Sequence, residues 1–279
     1  MICSLKSSFY RFVRTGMLAK VLIFSAVIGF FVVLSTCTDE MMMYLLRRPR
    51  YVDNTFVITN VLKLVYVIPF ASAVFCTVFT GSDISMRAVN NRIATGIPRY
   101  WVYFSELIVS VVATVLSVLT SFAVIFLFAK HVPVKENVKI NKQIILLLLS
   151  VTVICIAFTA LFLWFQLFFR IKFIALVCSL VMVLAVVIVS PVIGGLLEEP
   201  YRYHVMIDEE TETYEWRTNP YYIGGMSRNV LTFVYDSSPY NFDSVMDQDG
   251  FPQAAVTAGM VFVLTSATGM ASVKKKEFL

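Results

Sequence analysis

The chain has 279 residues, of which 58% are hydrophobic and 15% charged, with 24 Phe, a mean hydropathy of +0.79 and a formal net charge of +5. A soluble domain of this size cannot hide that much apolar surface, which excludes an ordinary soluble enzyme or binding module. The small positive excess is spread along the chain, and no nucleic-acid partner is expected.

Residues 1–20 carry Leu5, Phe9, Phe12 and Val13 at helical spacing with Lys6, Arg11 and Arg14 between them. That pattern fits an amphipathic helix lying along the membrane surface, and equally the ordinary basic flank of a first span. Six apolar runs follow, at 18–35, 56–79, 101–129, 144–168, 173–197 and 254–273. Each is near or above the roughly 20 residues that cross a bilayer as a helix. None alternates strictly, so a β-barrel is not expected, and a lipid-exposed backbone must then be helical. The first run is read as a retained span because no small-x-small cleavage site follows Thr36. The expected fold is all-α and polytopic: six transmembrane helices in a single domain spanning 1–279, with both termini on one side.

Charge assigns the sides. One side carries Lys6, Arg11, Arg14 and Lys20, then Arg87, Arg92 and Arg99, then Arg170 and Lys172, then Lys274, Lys275 and Lys276, against Asp83, Glu106 and Glu277. Its short loops and tails are basic, so it is taken as cytoplasmic in a bacterial cell membrane. Arg47, Arg48, Arg50, Lys130 and Lys142 then fall outside.

Within the spans, Pro69 predicts a kink in the second, and Pro191 with Gly194 and Gly195 a broken outer end of the fifth. Lys63 has a stem long enough to snorkel to the outer surface. Gln166 reads as interfacial, and Met41, Met42 and Met43 as filler at the outer interface. Glu106 lies about one turn inside the third span and is expected to pair with Arg99, Arg170 or Lys172, Arg99 being nearest in sequence.

Between the second and third spans, 83–95 reads as a short amphipathic helix, capped by Ser82 or Asp83 and stopped by Gly96 and Pro98. Met86, Val89 and Ile93 form one stripe; Arg87, Asn91 and Thr95 lie opposite. The stripe is suited either to lie against the membrane or to enter a groove on a partner. Residues 198–252 form an outer loop rich in Tyr and acid, with 226–235 as a short amphipathic helix on the outer mouth.

The sequence contains no G-x-x-x-x-G-K-[ST], H-E-x-x-H or G-x-S-x-G pattern, and its two His lie in separate loops. The chain is therefore not expected to be an enzyme or to bind a cofactor or metal itself. Its five Cys offer no disulfide framework, since three lie inside apolar runs.

The stretch from Val89 to Arg99, VNNRIATGIPR, resembles the motif between spans two and three of ABC-2-type ABC transporter permeases, especially their Firmicute branch. That motif runs close to G-T-I-R-N-K-L-x-x-G-x-S-R and is matched at Asn91, Arg92, Gly96 and Arg99. The chain departs from it at Arg87, Ala88, Asn90 and Pro98, and Glu106 stands where a Lys is common. Asn219, Pro220, Gly224, Gly225 and Arg228 are similar to the family's last outer loop, and Gly269 with Lys274–Lys276 to its tail. The resemblance implies an elbow helix at 1–20 and a coupling helix at 83–95 that touches an ABC ATPase subunit through Met86, Val89, Asn91, Arg92 and Ile93. It also implies ATP and Mg on that ATPase, a second permease copy or paralogue as dimer partner, lipid contacts, and export of a peptide, toxin or amphipathic compound. The rival expectation is a stand-alone immunity or accessory protein that binds a peptide without pumping.

Overall fold

A computed structural model describes residues 2–45, 54–85, 88–131, 140–169, 171–208, 213–238 and 253–275. The helices are α1 (Ile2–Arg14), α2 (Met17–Leu45), α3 (Asn54–Ser85), α4 (Ala88–Ala94), α5 (Arg99–His131), α6 (Lys142–Phe169), α7 (Lys172–Glu198), α8 (Gly225–Asp236) and α9 (Gln253–Lys275). Two strands, β1 (Arg202–Asp208) and β2 (Thr213–Thr218), form an antiparallel hairpin after α7. Six helices, α2, α3, α5, α6, α7 and α9, are long and apolar enough to cross a bilayer. The chain is a multi-pass α-helical membrane protein.

α3 and α6 form the centre and are the most buried of the six spans, whereas α7 is the least buried. Leu64, Ile68, Ala73 and Cys76 on α3 meet Val151, Ile154, Cys155, Phe158 and Phe162 on α6 in the main core. Where backbones come closest, small residues make room, as membrane helices require without a hydrophobic drive between them. A Cβ on Gly29 of α2 would stand 2.8 Å from the Ser121 carbonyl oxygen of α5, and Ser121 donates to the Ser25 carbonyl at 2.7 Å. Gly269 of α9 likewise lies against the Tyr103 ring of α5.

α1, α4, the start of α7 and the end of α9 lie at one end of the bundle. The contacts that fix this are α1 to α5, Lys172 to Ser82 at 3.2 Å, and Val273 with Tyr103 and Leu107. The opposite end carries the hairpin and α8. α8 is tied to α7 by Arg228, which donates to the Leu197 carbonyl at 2.6 Å, and by Ser238, which donates to Ser190 at 2.8 Å. Leu197 to Ser190 is about 10 Å of helix, so α8 descends along α7 toward the membrane. Its exposed side carries Met226, Val230, Phe233 and Val234.

Several sequence expectations change here. Residues 1–20 are not one helix: α1 ends at Arg14 and Gly16 (φ 69°) turns the chain into α2. The fifth span is not broken at its outer end. α7 stays helical through Pro191 and both glycines, and the bare Gly194 backbone receives the Tyr235 ring of α8. Gln166 is not interfacial; it is buried and donates to Thr77 at 2.7 Å, joining α6 to α3. The hairpin was not expected at all. The side chains of Met41–Met43 and Lys274–Lys276, together with Arg47–Arg50, Met86, Arg87 and Arg170, lie outside the described residues.

Candidate functional site: a charge cluster joining four helices

Two arginines and two carboxylates converge where α1, α3, α4 and α5 meet. Each element delivers its member for a local reason. α1 turns Ser4, Ser8 and Phe12, spaced by four, toward the bundle, and Arg11 follows on the same side. The small serines let α1 approach α5 closely: Ser4 shares a hydrogen bond with Ser105 at 3.0 Å. Asp83 sits in the last turn of α3, and Glu106 two turns into α5. Arg92 is near the end of α4, which Gly96 (φ 87°) closes with a bond from the Ile97 N–H to the Arg92 carbonyl at 3.4 Å. That bond pattern is the six-to-one closure of a glycine-capped helix.

Glu106, 3% exposed, is the hub. It accepts from Ser8 at 2.9 Å, from Arg92 at 2.8 Å, from Arg11 at 3.0 and 3.2 Å, and from Thr80 at 3.4 Å. Asp83 pairs with Arg11 and, at 3.3 Å, with Arg92. Arg92 also donates to Ser8 at 3.1 Å. The Arg11 guanidinium lies 4.0 Å from the Phe79 ring centre, and Phe12 packs edge-on to Phe75 and Phe79. Burial lowers the Arg11 pKa from its ordinary value, Glu106 raises it again, and Arg92 lowers it. Its ordinary value lies so far above neutrality that the side chain keeps its proton.

Two cations balance two anions, so the cluster is neutral. A neutral buried cluster contributes little net stability against an apolar alternative, because desolvation offsets most of the attraction. Its effect is positional: α1, α3, α4 and α5 can shift relative to one another only by breaking charge-assisted bonds.

Of the expected residues, the structure brings Arg92 and Glu106 together; Met86 lies outside the described residues. Among the described residues the ion-pair partners of Glu106 are Arg11 and Arg92 rather than Arg99, because α4 folds back under α5 and carries Arg92 to it. Arg99 begins α5. Asp83 does not cap the short helix; it belongs to α3, and the helix starts only at Ala88. Val89 is 6% exposed and faces the bundle, as does Arg92, so neither stands on the free surface of α4. Asn91, Ala94 and Thr95 are exposed, and Ile93 is half-buried.

Above Glu106, α5 continues as a buried polar stripe of Ser110, Thr114, Ser117 and Ser121. Thr114 bonds Thr159 of α6 at 2.8 Å, and Ser117 bonds the Ala113 carbonyl at 2.9 Å. Sequence reasoning missed this stripe and also Arg11 and Ser8. The spacing of three and four from Glu106 to Ser121 is the signal that would have found the stripe. No protein-family model matches the sequence, and no curated protein matches it.

Proposed function

We propose that this chain is the membrane-spanning permease subunit of an ATP-driven ABC-2-type transporter, exporting a peptide, toxin or amphipathic compound. The observation that carries this reading is α4: a short helix between the second and third spans, at the end holding both termini, with a polar outer face and a charge clamp beneath it. α1 supports it as an elbow helix beside the first span. On this reading the ATPase binds ATP and Mg, and its closure pushes α4 from outside. Arg92 passes the push to Glu106 on α5 and Asp83 on α3, and through them to Arg11 on α1. The surface meeting the ATPase is then Asn91, Ala94, Thr95 and the exposed part of Ile93, with Val89 and Arg92 as the inward anchors. A second permease copy or a paralogue completes the pathway.

The test is co-purification in mild detergent with the candidate ATPase, wild type against an Ala94→Arg, Thr95→Glu double variant. Retention by wild type and loss from the variant, with an unchanged elution profile, supports the permease. No ATPase on either form overturns the reading in favour of a stand-alone membrane protein.

A further inference from the structure

A groove of about 420 Å³ opens sideways between α2, α3 and α5. Its walls are apolar: Phe24 and Val27 on α2, Val74 and Val78 on α3, all exposed at its edges. The floor is Ser25, Ser72, Thr114 and Ser117. These hydroxyls are already engaged. Ser25 donates to the Val21 carbonyl at 2.6 Å, Ser117 to that of Ala113 at 2.9 Å, and Thr114 bonds Ser72 and Thr159 at 3.5 and 2.8 Å. A floor whose donors are spent presents an apolar surface to whatever lies on it, so the groove suits a hydrocarbon better than a polar solute.

One end of the groove is formed by Met17 and Lys20, just after the α1–α2 turn. Lys20 is exposed and has no acidic partner among the described residues. Arg14, also exposed, stands at the same turn and bonds Tyr10. From Met17 to Val27 the groove follows about 15 Å of helix. That is half of a hydrocarbon core of roughly 30 Å, the depth of a single leaflet. A groove one leaflet deep, apolar along its length and cationic at its interfacial mouth, has the form of one phospholipid chain below an anionic headgroup.

We propose that the α2–α3–α5 groove binds one anionic phospholipid, with an acyl chain along Phe24, Val27, Val74 and Val78 and its phosphate at Lys20. The site goes beyond the transporter reading and stands whether or not an ATPase binds.

The experiment is native mass spectrometry of the full chain in mild detergent, titrated with phosphatidylglycerol or phosphatidylcholine of identical acyl chains. One phosphatidylglycerol is expected to be retained in preference. Lys20→Gln should weaken it about fivefold, the size expected for one interfacial cation, and weaken phosphatidylcholine, whose choline offsets its phosphate, by less. Val74→Trp, which fills the groove from its exposed edge, should abolish the preferred binding with Lys20 intact. Equal retention of both lipids, or no response to either variant at unchanged elution and melting temperature, overturns the site. Crosslinking between Phe24→Cys residues of two copies, undiminished in phosphatidylglycerol-rich vesicles, gives the groove to a second copy and also overturns it.

Discussion

The two ends of the bundle handle buried charge in opposite ways. At the end with both termini, Arg11, Asp83, Arg92 and Glu106 form a closed network across α1, α3, α4 and α5. At the other end, Lys63 of α3 donates to Ser35 and Thr36 of α2 at 3.3 and 2.9 Å, and Thr36 in turn bonds the buried Asn60 at 2.9 Å. Among the described residues Lys63 has no acidic partner. The first arrangement couples four elements through two largely buried carboxylates and two partly exposed arginines. The second joins two neighbouring spans through neutral acceptors beside a half-exposed amine. Removing one ion from a closed network strands the others, whereas removing a cation that satisfies only hydroxyls strands nothing charged.

The largest expected effect follows from that difference. Glu106→Ala leaves Arg11 and Arg92 facing each other with Asp83 alone to balance them. It should cost about 3 kcal/mol, the lower part of the range for breaking a buried pair, since both arginines keep some exposure. A thiol-reactive-dye melt in detergent should show a lower midpoint, and hydrogen exchange should rise in α1 and α4 together. Exchange that rises in only one of them would break the idea of a shared hub.

Arg92→Ala is next. It frees α4 from Asp83, Glu106 and Ser8 but leaves Arg11 on both carboxylates. About 1–3 kcal/mol should be lost, as for one charge-assisted partner. Exchange should rise in α4 with little change in α1. In a double-mutant cycle, Arg92→Ala with Asp83→Ala should depart from additivity by at least 0.5 kcal/mol, roughly the threshold for residues sharing a network.

Away from the charges, Gly269→Ala tests packing alone. Its new methyl meets the Tyr103 ring, which is held in the small core of Leu107, Leu163 and Val273. Overpacking of this kind costs about 1–3 kcal/mol. Tyr103→Val should recover part of the loss in the double variant, measured by the same melt.

How much of this was legible in the sequence differs between the elements. The six spans were, because twenty apolar residues in a row admit few alternatives; the observed bounds, such as Met17–Thr36 and Lys172–Glu198, lie close to the apolar runs. The end of α4 at Gly96 and the position of α8 were legible from capping and periodicity. The cluster was only half so. Glu106 marks itself as a carboxylate in an apolar run, but its partners come from α1 and α4, ninety-five and fourteen residues away. Sequence distance favours Arg99; three-dimensional folding of α4 against α5 decides for Arg92. The direction of α4 was open in the sequence for a related reason. Val89 and Ile93 form a stripe in either orientation; in the structure Val89 is buried on the side where Arg92 meets Asp83 and Glu106. The hairpin was not legible, because two short strands at a membrane surface carry little hydrophobic signal.

The smallest effect is at the opposite end. Lys63→Met keeps the length of the stem and removes the ammonium. Ser35 and Thr36 lose a donor, but each hydroxyl retains another bond: Ser35 to the Val32 carbonyl at 2.7 Å and Thr36 to that of Val32 at 3.3 Å and to Asn60. Each hydroxyl keeps a bond that it donates and no opposite charge is stranded, so the change should stay below about 1 kcal/mol. The same melt that reports Glu106→Ala measures it. A loss as large as that of Glu106→Ala would mean that Lys63 is held by a buried anion, and the contrast between the two ends would fail. A near-neutral result would leave the charge network as the device that distinguishes the terminal-bearing end, where four elements must move as one.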